Sequence, residues 1–169
     1  VASDSHLGGQ PSLSFSGGKT LTEYFDGYFP SGASARTLYV VGYLNNTRPE
    51  GSAISYGRNG NGVRFALFAS NNGLYIETSN YTSKGASISN GSGFVAAYPY
   101  TAASHFEDSP LYLNGAEGAL PALGAGGGIQ ANTAETKLAM GYLSDLPSGW
   151  YNWDGAIAEV LIYDSAHDD

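Results

Sequence analysis

Two carboxyl groups about 5–5.5 Å apart are the simplest catalytic device open to a chain of this kind, because such a pair cleaves glycosidic bonds. On a strand, residues i and i+2 point to the same face, so Glu-x-Asp or Asp-x-Glu spacing would bring two carboxyl groups together. Neither spacing occurs. Glu107 and Asp108 are adjacent and would point to opposite faces, and Glu23 and Asp26 are separated by a turn. The positions of the acids therefore predict that the chain is not an enzyme.

Nucleophile, phosphate and metal motifs are also missing from the sequence. His6, His105 and His167 share no metal-ligand spacing, and cysteine is absent. Gly17–Thr20 ends like a phosphate-binding loop, but Leu13 stands where that motif requires a glycine. No Gly-x-Ser-x-Gly segment provides a serine nucleophile. The sequence thus favours binding over catalysis.

Sugar binding needs aromatic rings beside planar polar groups, and the loop 144–152 is the richest source of both. Its candidate ligand-binding residues are Asp145, Trp150, Tyr151 and Asn152.

Two smaller segments are further candidates for ligand binding. In Tyr98-Pro99-Tyr100, the proline favours an extended backbone that would display both rings. Arg58 and Asn59 lie at a predicted hairpin tip and are further candidates, although ordinary turn formation is the favoured explanation for them.

The elements that must position these residues are short β-strands. Segments rich in β-branched and aromatic residues recur with turn signals about every 8–12 residues, and no segment has a sustained helical period. Asn-Gly pairs at 59–60, 72–73 and 114–115 favour hairpin turns, because both residues tolerate positive φ. The predicted strands are Leu13–Ser16, Thr20–Tyr24, Thr37–Leu44, Ala53–Tyr56, Val63–Ala69, Leu74–Thr78, Phe94–Tyr98, Leu111–Leu113, Ala116–Leu120, Lys137–Leu143 and Ala156–Tyr163. We therefore predict an all-β fold, a two-sheet antiparallel β-sandwich of the jelly-roll type, with residues 1–169 forming one domain.

Charge is sparse and acidic along the whole chain. Seven basic residues face 15 acidic ones, the net charge is -8, and the isoelectric point is about 4.6. The basic residues are scattered, which argues against nucleic-acid binding. No apolar run approaches the roughly 20 residues that span a bilayer, so membrane insertion is not expected. A surface of Ser, Thr, Asn, Gly and Tyr without cysteine predicts a secreted or cell-surface protein, of bacterial rather than animal origin. The start at Val1 suits a processed product or an excised fragment.

The segment Trp153–Asp164 resembles the closing strand of laminin-G-like, concanavalin A-like jelly-roll domains of bacterial secreted proteins. Those domains read aromatic-x-Gly-x-Ile-x-Glu-Val-x-Ile-Tyr at this point, as this chain does. Leu111–Gly115 is similar to the family's Leu-Tyr-Val-Asn-Gly hairpin, and Ala35–Val41 to its early strand. The resemblance covers most of the chain, although Gly93–Tyr100 lacks the tryptophan-histidine pair usual there. It implies the fold more strongly than a function, because this fold serves many roles.

The resemblance has consequences for particular residues. Trp153 is expected to pack into the core. Calcium often lies at the rim of such sandwiches, held by loop carboxylates. Asp26, Asp145 and Asp154 are the candidates here, although solvated loop acids are the favoured explanation for them. Glu159, in the middle of the closing strand, is expected to be paired with backbone or an arginine, because an unpaired buried carboxylate is costly.

Three functions remain open from the sequence. The first is a non-catalytic extracellular module that binds carbohydrate or mediates adhesion, with a glycan or cell-surface polysaccharide as partner, no required cofactor and calcium as an aid. The second is a structural subunit or spacer that assembles with copies of itself in a surface fibre or adhesin. The third is a glycoside hydrolase, the function that the spacing of the acids least favours.

Overall fold

The computed structural model describes residues 2–16, 18–23, 27–46, 50–124, 128–134, 137–144, 146 and 151–167, which form fourteen β-strands and two short 3₁₀ turns. The strands are β1 (Ala2–Asp4), β2 (Gln10–Ser14), β3 (Leu21–Glu23), β4 (Arg36–Leu44), β5 (Gly51–Gly57), β6 (Arg64–Ser70), β7 (Gly73–Thr78), β8 (Tyr81–Thr82), β9 (Ala86–Ser87), β10 (Gly93–Tyr100), β11 (Tyr112–Leu113), β12 (Ala116–Glu117), β13 (Leu138–Met140) and β14 (Gly155–Tyr163). Each strand that the sequence predicts is present. The short strands β1, β8 and β9 were not predicted.

The strands form two antiparallel sheets packed face to face as a jelly-roll β-sandwich, which confirms the predicted fold class. Sheet I has the order β1-β2-β14-β4-β10-β11-β12. Sheet II has the order β3-β13-β5-β6-β7-β8, and β9 also pairs with β7. No helix in the described part of the chain is long and apolar enough to cross a membrane.

The core lies between the two sheets and is built from alternate residues of their strands. Leu38 and Val40 of sheet I contribute to it, and so do Phe65, Leu67 and Ile76 of sheet II. Trp153 is fully buried, as the resemblance implied, and its indole N–H donates to the carbonyl of Tyr43 at 3.2 Å. The period-two pattern of apolar residues thus directs one face of each sheet inward.

Asparagine shapes the tight turn between β6 and β7. Asn71 has φ 50° and Asn72 has φ 64°, so two successive asparagines take the left-handed conformation that this turn needs. The sequence predicts the turn but places it one residue late, at Asn72-Gly73. At the β11–β12 turn the predicted pair, Asn114 and Gly115, does have positive φ, 52° and 80°.

A β-bulge changes the outcome for Glu159. Against β4 the register of β14 shifts between Ile157 and Glu159. The extra residue turns Glu159 to the outer face of sheet I, where it is exposed. The expectation that Glu159 is a buried carboxylate paired with backbone or an arginine was therefore wrong.

Sheet II is buried on its outer face as well as its inner face. Every residue of β5, β6 and β7 is buried. In a sheet with one solvated face, buried and exposed residues would alternate along each strand. The segment 141–144 lies over β5, where Ser55 Oγ donates to the carbonyl of Tyr142 at 3.1 Å and Ser144 Oγ donates to the carbonyl of Gly57 at 3.0 Å. Among the described residues, an opening lies above β6 and β7 beside this covering segment.

Candidate functional site

The opening on the outer face of sheet II is a groove with a volume of about 430 Å³, within the range of small-ligand sites. Its floor is formed by β6 and β7, and its walls come from loops that are far apart in the chain. The lining residues are Glu50, Asn59, Arg64, Phe68, Ser70, Glu77, Ser79, Asn80, Thr82, Leu123, Leu143, Leu146 and Tyr151.

An ion pair between Arg64 and Glu77 forms the polar floor of the groove, and we call it the floor pair. Arg64 Nε donates to Glu77 Oε2 at 3.0 Å, and Arg64 Nη2 donates to Glu77 Oε1 at 2.7 Å. The third guanidinium nitrogen, Nη1, donates to Asn59 Oδ1 at 3.2 Å. The two side chains are only 3% and 5% exposed. A bidentate pair of this kind holds both groups in a fixed geometry.

Burial raises the pKa of the Glu77 carboxyl above its ordinary value. The hydrogen bonds and positive charge of Arg64 oppose this rise, and so does a hydrogen bond with the backbone of Ser79. The negative charge of Glu50 raises the pKa further. Desolvation outweighs the effect of the arginine, so Glu77 is protonated at a higher pH than an exposed glutamate is.

The rim of the groove presents polar groups to solvent. Glu50 is exposed on one side and accepts a hydrogen bond from Ser70 Oγ at 2.7 Å. Across the groove, Asn59 and Asn80 are exposed, and Ser79 Oγ donates to Asn59 Oδ1 at 2.8 Å. The rim thus offers a carboxylate and two amides, the groups that bind adjacent sugar hydroxyls.

The remaining wall of the groove is apolar. Phe68 packs with Leu143, Leu146 and Tyr151 in a small cluster separate from the main core. The rings of Phe68 and Tyr151 meet edge to face with centroids 5.6 Å apart. Tyr151 has φ 54°, a left-handed backbone conformation that is an outlier for a bulky residue. Strain of this kind concentrates at ligand sites, where the surrounding fold enforces it.

The structure brings together two candidates that the sequence had placed in separate segments. Tyr151, from the loop 144–152, and Asn59, from the hairpin tip, line the same groove. Arg58 is exposed beside Asn59 and is not among the lining residues. Asn152 lies outside the groove, bridged to Ser52 of β5. Trp150 and Asp145 fall outside the described residues.

The prediction that Tyr98 and Tyr100 display their rings was wrong. Strand β10 continues through Pro99 to Tyr100, so both tyrosines share the inward face with Phe94, and both are fully buried. The hydroxyl of Tyr100 donates to the carbonyl of Ser104 at 2.6 Å and accepts from the backbone N–H of Ala131 at 2.9 Å. These rings pack into the core and hold its flanking loops, and neither is exposed at the surface.

The three calcium candidates have different outcomes. Asp154 Oδ1 accepts a hydrogen bond from Asn45 Nδ2 at 3.4 Å. Within the described ranges, no three acidic or histidine side chains converge as a metal site would require. Asp26 and Asp145 lie outside those ranges. Calcium binding therefore stays a prediction.

Sequence reasoning missed Arg64, Glu77, Glu50 and Phe68, although the hairpin register contains a signal for the first two. With the turn at Asn71-Asn72, Glu77 pairs with Ala66 and lies diagonal to Arg64 on the same face. The other face of both strands is apolar and points to the core. Opposite charges on diagonal positions therefore indicate an ion pair between Arg64 and Glu77 on the outer face of the sheet. Nothing in the sequence indicates that Tyr151 packs against Phe68.

Comparison of sequences alone identifies no relative. No known family profile matches the chain, and no curated protein is similar to it in sequence.

Comparison of structures finds similar β-sandwiches. The CBM40 of a Ruminococcus gnavus IT-sialidase, solved bound to α2,3-sialyllactose, is similar with a TM-score of 0.63, at 17% identity over 95% of this chain and 92% of that chain. A K499G mutant of the NanB sialidase from Streptococcus pneumoniae gives a TM-score of 0.65 at 11% identity, over 94% of this chain and 26% of that one. Domains LG4-5 of the mouse laminin α1 chain give 0.59 at 13% identity, over 93% and 42%. These similarities support the fold expected from the laminin-G-like resemblance.

Proposed function

We propose that this protein is a carbohydrate-binding module and that the groove on the outer face of sheet II is its glycan site. The observation that carries the proposal is the convergence of the Tyr151 ring and the Asn59 amide on one groove above the floor pair. These two residues come from loops about 90 positions apart in the chain, and only the fold brings them together.

The chemistry of the lining suits a sugar ring. The C–H faces of a sugar pack on aromatic and aliphatic side chains, which Tyr151 and Leu146 supply on the apolar wall. Its hydroxyls need acceptors and donors in fixed positions, which Glu50, Asn59 and Asn80 supply along the rim. An apolar wall opposite a polar rim is the arrangement that an amphipathic ring requires.

Structural neighbours suggest which glycans to test first. The similar Ruminococcus gnavus CBM40 has been solved with α2,3-sialyllactose and with α2,6-sialyllactose. Sialyllactoses and unsubstituted lactose therefore form the first panel of ligands.

Binding without catalysis is part of the proposal. Two groove carboxylates, Glu50 and Glu77, could in principle serve a glycosidase. Glu77, however, is bound by Arg64 through both oxygens and is almost fully buried. A carboxylate held in this way is poorly placed to attack an anomeric carbon.

We propose an extracellular setting on the basis of the charge-poor, tyrosine-rich surface.

A glycan array with purified protein tests the proposal. Tyr151→Ala removes the ring from the apolar wall, so we expect the affinity for any bound glycan to fall about tenfold or more. The matched control is Tyr163→Ala, because Tyr163 is 40% exposed on sheet I, away from the groove. Equal loss of binding in both variants, or silence of the array, contradicts the groove as a glycan site.

The same array run with calcium and with a chelator tests the proposed aid from calcium. Binding that is lost on chelation and restored by added calcium supports a rim site. Binding that is unchanged by chelation removes calcium from the proposal and leaves the groove in place.

A further inference from the structure

The floor of the groove contains a charged pair whose net charge depends on one proton. Arg64 and Glu77 are 3% and 5% exposed and are joined by two hydrogen bonds. While Glu77 is ionised, the two charges cancel and the floor is neutral. If Glu77 is protonated, the permanent charge of Arg64 stays at the floor without a counter-ion, because arginine does not lose its proton.

We infer that this groove takes up a proton when it binds a glycan carrying a carboxylate, so that acidic glycans bind more tightly at mildly acidic pH than at neutral pH. The inference rests on the proposed function and adds to it a class of ligand and a form of regulation. The proton binds to Glu77 of the floor pair, and it changes the net charge of the pair from zero to positive.

The other charged groups around Glu77 set the direction of the effect. Arg64 faces Glu77 from β6. Glu50, the residue immediately before β5, also faces Glu77. The opposing residue on β8 is Thr82, which is uncharged. The phenol of Tyr151 is the remaining titratable group among the described lining residues.

At neutral pH these charges oppose an anionic ligand. Glu50 and ionised Glu77 contribute two negative charges, against one positive charge from Arg64. Protonation of Glu77 removes one negative charge and leaves the two remaining charges balanced. A carboxylate that enters the groove then avoids one repulsion, and its own charge in turn favours the protonated form of Glu77.

The sign of the pH dependence follows from the state of Glu77. Its pKa is raised above the ordinary value, so part of the population is protonated at pH values where an exposed glutamate is ionised. A bound carboxylate raises that pKa further, and by linkage the complex holds more protons than the free protein. Affinity for the anionic ligand must therefore rise as pH falls through this window. A neutral ligand has no such coupling.

Isothermal titration calorimetry of the unmodified protein tests the inference. α2,3-Sialyllactose and lactose form a matched pair that differs in the carboxylate-bearing sugar. We expect sialyllactose to bind about tenfold more tightly at about pH 5 than at about pH 7.5, with lactose nearly unchanged. Titration in two buffers of different ionisation enthalpy should show proton uptake for sialyllactose alone.

Two variants assign the proton to its site. Glu77→Gln keeps the size of the side chain and an acceptor for Arg64 but carries no negative charge. We expect it to bind sialyllactose at about pH 7.5 more tightly than the unmodified protein does at that pH, without the pH dependence of the unmodified protein. Glu50→Gln should keep the pH dependence but shift its midpoint to lower pH, because Glu50 raises the pKa of Glu77.

The outcomes separate this inference from the proposed function. Sialyllactose binding that is independent of pH and takes up no proton overturns the inference and leaves glycan binding intact. Binding of lactose but not sialyllactose at either pH has the same consequence. Silence of every glycan overturns both. If Glu77→Gln does not fold, proton uptake by the unmodified protein decides the question alone.

Discussion

Two buried arginines in this protein are stabilised in different ways. Arg64 is paired with a carboxylate, whereas Arg36 is fully buried and held by neutral groups. Its Nη1 donates to the carbonyl of Pro30 at 3.0 Å and to the hydroxyls of Tyr56 at 3.0 Å and Thr133 at 2.8 Å. Its Nε and Nη2 donate to further carbonyls in the loop 31–34, and the guanidinium lies over the Phe65 ring. Arg36 therefore ties the loop before β4 to the core.

Arg36→Met keeps the length of the side chain but removes every donor. Buried carbonyls and hydroxyls would lose their partners, so we expect the free energy of unfolding to fall by about 4 kcal/mol or more. Urea denaturation measures the loss. Arg58→Met is the control, because Arg58 is exposed and its replacement should change stability by no more than about 0.5 kcal/mol. A loss below about 1 kcal/mol for Arg36→Met contradicts the role assigned to it.

At the scale of elements, the segment that covers sheet II determines where the groove lies. Hydrogen bonds from Ser55 to the carbonyl of Tyr142 and from Ser144 to that of Gly57 fix this segment on β5. Tyr151 also lies against the sheet, where its carbonyl accepts from the backbone N–H of Ser52 at 2.9 Å. Its backbone is in the left-handed conformation, and from there its ring packs against that of Phe68.

Paired substitutions at Tyr151 separate the ring from the backbone. Both Tyr151→Ala and Tyr151→Gly remove the ring, so both should lose glycan affinity to the same degree. Only glycine takes φ 54° without strain, so we expect Tyr151→Gly to be the more stable of the two by about 1 kcal/mol. Thermal unfolding measures the difference. Equal stability would contradict a strained backbone at this position.

At the scale of the whole molecule, the choice between a binding module and an assembling subunit rests on the outer surface of sheet I. Beyond Ile157, β14 is paired only with β4 in the described part of the chain, and Val95, Leu161 and Tyr163 are exposed on that sheet. The side of β14 that is unpaired beyond Ile157 is an open strand edge, and open edges favour association with other chains. The net charge of -8 on each molecule opposes it. Self-assembly stays a prediction from the sequence.

We expect the protein to be monomeric at neutral pH and moderate salt, because repulsion between copies outweighs the small apolar surface of sheet I. Sedimentation velocity over a range of concentrations measures this. Association should appear as the pH approaches the isoelectric point of about 4.6, where the net charge vanishes. Ordered, concentration-dependent assembly at neutral pH would contradict the expectation and favour the structural subunit.

The strands, the fold class and much of the core could be predicted from the amino-acid sequence. These follow from local patterns: alternating apolar residues such as Phe65 and Leu67, and turn residues such as Asn114. The same local reasoning failed at Tyr98 and Tyr100, because Pro99 did not end β10 and the alternation carried both rings inward. It also failed at Glu159, because a bulge of one residue reverses the face of every side chain after it.

The candidate site, in contrast, depends on contacts between segments that are distant in the chain. Asn59, Glu77 and Tyr151 belong to different loops and strands, and no local pattern encodes their meeting. Whether Arg64 contributes a charge to the groove depends on its distance from Glu77 and on the burial of both side chains. Distance and desolvation are properties of packing, and packing sums contacts between residues that the order of the chain keeps apart.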